Sequence, residues 1–128
     1  MKSTLGKNEK LKSRKAIELL FESGERLKSY PLQLIYLKFD HKGDSPVKVG
    51  FSVPKRSVKL AVDRNRIKRL MREGYRKNKM DFMNEEIEPH VLMFIYSSNK
   101  EIKYDQLELS IQKLLTNFLK INKNYVQD

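Results

Sequence analysis

Residues 47–76 read VKVGFSVPKRSVKLAVDRNRIKRLMREGYR. The first seven alternate strictly: Val47, Val49, Phe51 and Val53 face one way, and Lys48, Gly50 and Ser52 the other, the period of a β-strand. Pro54 ends the strand and a Lys-Arg connector follows. From about Ala61 to Asn78 the apolar spacing becomes helical. On a wheel of about 100° per residue, Leu70, Gly74, Ile67, Met71 and Tyr75 fill one arc. Arg64, Lys68, Arg72, Asn65, Arg76 and Arg69 fill the other, with Arg66 and Glu73 on the flank. Such a helix docks its apolar arc on a sheet and turns its cationic arc outward.

Working outward, the other elements complete an α+β order. Ser13 is placed to cap a helix running to about Ser23, with Ala16, Ile17, Leu20 and Phe21 at helical spacing and Gly24 ending it. A short strand is expected near Glu25 to Lys28. YPLQLIYLKF (30–39) reads as a strand joined to 47–53 by a Gly-Asp-Ser-Pro turn. An acidic linker at 81–89 leads to HVLMFIY (90–96), apolar on both faces and therefore central and covered. The last helix spans about Lys103 to Ile121, its stripe formed by Tyr104, Leu107, Ile111, Leu114, Leu115, Phe118 and Ile121. Residues 1–12 read as a flexible basic arm, 13–122 as one domain and 123–128 as a tail. The expected order is α-β-β-β-α-β-α around one central sheet.

The chain has 128 residues, enough for one domain with a real core, and a formal net charge of +11. The charge is concentrated. Between Pro54 and Lys79, eleven bases face only Asp63 and Glu73, a net of +9, which leaves +2 for the remaining 102 residues. There is no cysteine, hence no disulfide, thiolate metal site or thiol nucleophile. No apolar run has the length of a signal peptide or membrane span, so a cytoplasmic location is expected.

A run of charge is ordinarily a solvated face, with anionic membrane as another possible partner. Two features favour nucleic acid. Arg64, Lys68, Arg72 and Arg76 are consecutive like-charged i,i+4 neighbours, a pattern that destabilises a helix in water unless an anion neutralises it. Arginine also dominates, and its planar fork suits bidentate contact with phosphate. DNA reading would require a frame such as helix-turn-helix, and a strand and connector precede this helix instead. RNA is the expected partner, with neither DNA nor membrane.

These blocks resemble one family. LKSRKAIELLFESG (11–24), VGFSVPKR (49–56) and above all AVDRNRIKRLMREGYR (61–76), with its Arg64, Asn65, Arg66, Lys68 and Arg69 core, are similar to the protein subunit of bacterial ribonuclease P. The resemblance runs from about residue 5 to 121. It implies a left-handed β-α-β crossover within the fold, and a protein that is not itself the catalyst. The partner RNA would hydrolyse the 5′ leader from precursor tRNA with magnesium ions, the protein binding no cofactor. Lys55, Arg56, Arg64, Asn65, Arg66, Lys68, Arg69, Arg72 and Arg76 would hold the catalytic RNA. Lys12, Arg14, Ile17, Phe21, Tyr36 and Ser52 would line a cleft for the leader between the first helix and the sheet. Ile17 stands where the family often carries a second aromatic, and the Tyr36 match assumes a one-residue insertion near Pro31.

The residues alone leave alternatives open. Phe21 at helical spacing reads equally as core, and Tyr36 shares a strand face with Leu32 and Leu34 that either side of the sheet could bury. His41 and His90 read as ordinary surface residues without the spacing of a zinc site. Asp81, Glu85, Glu86 and Glu88 read as solvated counter-charge. No catalytic or metal-binding residue is expected. A structural RNA-binding protein of the ribosomal kind would share the charge and the fold class.

Overall fold

The computed structural model describes residues 10–40, 47–83 and 88–126. The elements run α1 (Arg14–Ser23), β1 (Glu25–Ser29), β2 (Leu32–Lys38), β3 (Val47–Ser52), α2 (Ala61–Met83), β4 (His90–Tyr96) and α3 (Tyr104–Val126). The strands form a single sheet in the order β1-β2-β4-β3. β1 to β2 and β2 to β4 are antiparallel, while β3 and β4 are parallel and joined through α2. The α+β order read from the sequence is therefore the observed one.

Alternation along the strands divides the core in two. Leu32, Leu34 and Tyr36 of β2, Val47 and Val49 of β3, and Leu92, Phe94 and Tyr96 of β4 face one side. There they meet Met71 and Tyr75 of α2 and Leu107, Ile111, Leu114, Leu115 and Phe118 of α3. Ile35, Val91, Met93 and Ile95 face the other side and meet Leu11 together with Ala16 and Leu20 of α1. β4 is buried along its whole length because helices cover both of its faces. Polar contacts lock α2 to α3: Asn78 donates to Glu108 at 3.1 Å and accepts from Gln112 at 3.0 Å.

The termini of α1 follow from its ends. The Ser13 hydroxyl accepts from the Ala16 N–H at 3.2 Å, as an N-cap should. At the other end the Gly24 N–H donates to Leu20 O. A Cβ at Gly24 would lie 2.4 Å from that same carbonyl and 2.6 Å from Ile35 Cγ2, so glycine lets the helix end rest directly on β2.

Several expectations are corrected. Lys10 bridges Val49 and Leu11 is buried, its N–H donating to Val49 O at 3.0 Å, so the arm is docked on β3 by residue 10. α2 extends to Met83, into the stretch read as a linker, and α3 continues to Val126, through most of the stretch read as a tail. His90 is buried rather than on the surface: its Nδ1 lies 2.6 Å from Glu88 O and its ring packs edge-on against Phe118. The Gly-Asp-Ser-Pro turn, His41, Glu85 and Glu86 lie outside the described residues.

Candidate nucleic-acid interface

α2 seats its apolar arc as its periodicity requires: Met71, Gly74 and Tyr75 are buried and Ile67 and Leu70 are half-buried. Its cationic arc divides into three parts. At the N-terminus, the Arg64 guanidinium turns back and donates to the carbonyls of Val58 at 3.0 Å and Lys59 at 2.6 Å. Arg64 thus fastens the 54–60 connector to the helix from the edge of the cationic arc, where the wheel sets it about 20° from both Met71 and Tyr75. The connector's own turn is closed by Ser57 and Val58 N–H groups donating to Pro54 O.

The middle part is open. Asn65, Arg69 and Arg72 are exposed, Lys68 is half-exposed, and none of the four has a hydrogen-bond or ion-pair partner among the described residues. Lys55 and Arg56 on the connector are exposed and equally without such a partner among the described residues. Beyond Glu73 the cations have partners within the protein. Glu73 lies 3.9 Å from Arg76 and 3.5 Å from Lys77, and the Lys77 ammonium sits 5.2 Å from the Tyr104 ring centroid. Arg66 leaves the stripe and turns to a pocket beside Tyr96. The nine expected RNA-binding residues therefore comprise an open set, Lys55, Arg56, Asn65, Lys68, Arg69 and Arg72, with Arg64, Arg66 and Arg76 differently engaged.

The expected leader cleft is redrawn. α1 packs over β2 and β4 but not over β3, so the α1 side of β3, carrying Lys48, Gly50 and Ser52, is only half-covered. Lys12 follows the residue bonded to β3, and Arg14 opens α1; both are exposed. Ile17 is half-buried against the smaller core cluster. Phe21, one turn further along the same flank, is 45 % exposed, which removes it from the core.

Tyr36 does not belong to this group. It is 7 % exposed on the opposite face of the sheet, its ring edge-on to Phe118 at 5.0 Å, and its hydroxyl donates to Glu25 at 3.0 Å. Burial, reinforced by the Glu25 hydrogen bond and charge, pushes its phenol up to about 12. The reason is strand parity: a shift of one residue moves a side chain to the other face. Leu37 and Phe39 occupy the α1 side instead, both half-buried. Phe39 is thus an aromatic of this face that the Tyr36 match displaced, and its two-residue spacing from Ile35 and Leu37 was the signal for it.

The family model described as Ribonuclease P matches residues 5–119. The chain belongs to the ribonuclease P protein family. It is 34 % identical over 115 residues to the ribonuclease P protein component of Porphyromonas gingivalis strain ATCC 33277, covering 87 % of this chain and 83 % of that one. With the Chlorobium phaeobacteroides protein component it shares 48 % identity over 80 residues, 60 % of this chain and 55 % of the relative, so that match spans about half the relative's length. In fold it is similar to the Staphylococcus aureus RNase P protein, with a TM-score of 0.68 at 19 % identity over 89 % of this chain and 97 % of that one. The Thermotoga maritima RNase P protein gives 0.68 at 20 % identity over 85 % and 96 %. Among the described residues no helix is long and apolar enough to cross a membrane.

Proposed function

We propose that this chain is the RNA-binding protein subunit of a ribonucleoprotein ribonuclease P, an endonuclease that removes the 5′ leader of precursor tRNA in the cytoplasm. Its partners are a catalytic RNA and precursor tRNA. The open cations of α2 and the connector hold the catalytic RNA. The α1 side of the sheet, with Lys12, Arg14, Ile17, Phe21 and Ser52, holds the leader, Phe21 offering a ring for base stacking. Phosphodiester hydrolysis belongs to the RNA with its magnesium ions; the protein contributes charge and position, and no cofactor of its own. The observation that carries this reading is Lys68, Arg69 and Arg72 exposed on one face without partners among the described residues, in a chain of this family.

The test is cleavage of precursor tRNA at low magnesium by the chain alone, by the cognate catalytic RNA alone, and by both. Cleavage is expected from the RNA and is strengthened by the protein. Cleavage by the protein alone would overturn the division of labour, and binding without stimulation would return the chain to a structural RNA-binding role. About five phosphates met by Lys55, Arg56, Lys68, Arg69 and Arg72 imply a log-log salt slope of roughly −3.5 to −4.5, reduced by about one in Arg69→Ala.

A further inference from the structure

A pocket of about 650 Å³ opens where the connector, the first turns of α2 and the loop after β4 converge. This volume lies within the range of about 300–1,000 Å³ typical of small-ligand sites. It is on the α2/α3 side of the sheet, away from α1. The floor is apolar, made by Val58, Ile67, Leu70 and Leu107 with Tyr96 beside them. Arg56, Lys59, Arg66 and Lys100 line it with positive charge, and Asp63 and Glu101 contribute two carboxylates.

Both walls are held in place. Arg64 fixes the connector wall through the carbonyls of Val58 and Lys59. On the facing wall the Tyr96 hydroxyl donates to Lys100 O at 2.9 Å, and the Ser98 hydroxyl accepts from the Lys100 N–H at 3.0 Å. Such a site is shaped before any ligand arrives, which lowers the ordering cost of binding.

The lining chemistry selects the occupant. A phosphate backbone alone has no use for an apolar floor, and an apolar peptide has no use for four bases at the wall. A nucleotide satisfies both, its base on the floor and its phosphates on the cations. The carboxylates only accept hydrogen bonds, so they match a base edge bearing amino donors. Asp63 alone could be explained by the first turn of α2, where an acid complements the helix dipole. Glu101 lies outside any helix and has no ion pair among the described residues. The pocket meets the open set at its rim, since Arg56, exposed on the connector and counted among the open cations, also lines it. Proteins that recognise irregular RNA commonly take up bases splayed out of the stack.

We propose that this pocket receives one unstacked nucleotide, with an amino-bearing base, from the RNA held on α2. The site rests on the RNA-binding reading above, yet it is tested separately from it. GMP and UMP are titrated into the full chain while the backbone amides of Val58, Ile67 and Ile102 are followed by NMR. GMP shifts these amides saturably and UMP does so several-fold more weakly. Glu101→Ala, an exposed change compatible with folding, removes the difference between the two. Ile102→Phe places a ring in the pocket, abolishes the GMP response and lowers affinity for the cognate catalytic RNA roughly tenfold, as loss of one stacked base would. Its salt slope stays unchanged, whereas Arg69→Ala lowers the slope and leaves the GMP response intact. GMP shifts confined to the α1 side of the sheet or to the outer face of α2, or no shifts at all, would overturn the pocket. So would Glu101→Ala keeping the full GMP preference. Failure of the broader reading looks different: the unmodified chain would bind the catalytic RNA weakly and without salt dependence, whatever GMP does.

Discussion

The two faces of the sheet are built from the same strands but finished differently. On one, two long helices cover β2, β3 and β4 and bury Phe94, Tyr96, Tyr75 and Phe118 completely or nearly so. On the other, a ten-residue helix covers β2 and β4 only, leaving the side of β3 that carries Lys48, Gly50 and Ser52 half-open. The covered face supplies stability and also carries the basic helix, so the open cations are mounted on the best-packed part of the molecule. The sparsely covered face retains room for a ligand. An aromatic ring consequently means different things on the two sides.

The largest expected effect breaks that contrast directly. Phe118→Ala, in the fully buried cluster, should cost about 3–5 kcal/mol in chemical denaturation. Phe21→Ala, on the open side, should cost under about 1 kcal/mol while weakening precursor tRNA more than mature tRNA. Equal losses of stability would mean that Phe21 is core after all.

A smaller effect concerns how α1 is seated. Gly24→Ala drives a Cβ to 2.4 Å from the backbone carbonyl of Leu20, which cannot swing aside, and should destabilise by about 1–3 kcal/mol. Gly50→Ala meets only the flexible end of Met93 at 3.0 Å and should cost less. A reversal in thermal melts would show that β3, not the end of α1, is the tightly fitted part of this face.

The smallest effect is a pH response of the covered face. Tyr36 has its folded-state phenol raised from 10.0 to about 12. The stabilisation is therefore fully present below pH 10 and is lost as pH rises toward about 12. Urea midpoints measured across that interval should fall with pH, and the fall should be shallower in Tyr36→Phe. An unchanged slope would place Tyr36 in contact with water and reopen its assignment to the cleft.

Much of this organisation was legible in the chain because it depends on short-range periodicity. The strict alternation of residues 47–53 set which side of β3 is apolar, the Ser13 cap and Gly24 bounded α1, and the two arcs of residues 61–76 fixed how α2 would dock. Even the parity of β2 was present, since Leu32, Leu34 and Tyr36 oppose Ile35, Leu37 and Phe39. Which of those two sets faces α1 was not legible, because both are apolar and parity does not say where a helix will land. Tyr36 was lost to the cleft for that reason.

Similarly, local sequence established that residues 54–79 carry the excess charge, but not how each charge is used. Arg64 is spent on connector carbonyls, Arg66 turns to a pocket, and Arg76 and Lys77 meet Glu73. The Glu73 pairs are contacts within α2 itself, whereas the fates of Arg64 and Arg66 depend on where the 54–60 connector and the 97–102 loop come to rest, which the parallel pairing of β3 with β4 sets. The sequence by itself determined the elements, the apolar and cationic faces and the family, because these follow from residue type and spacing. Tertiary structure decided which way Arg64 and Arg66 turn and where a base-sized pocket forms, because these depend on how the connector, α2 and the loop after β4 come together.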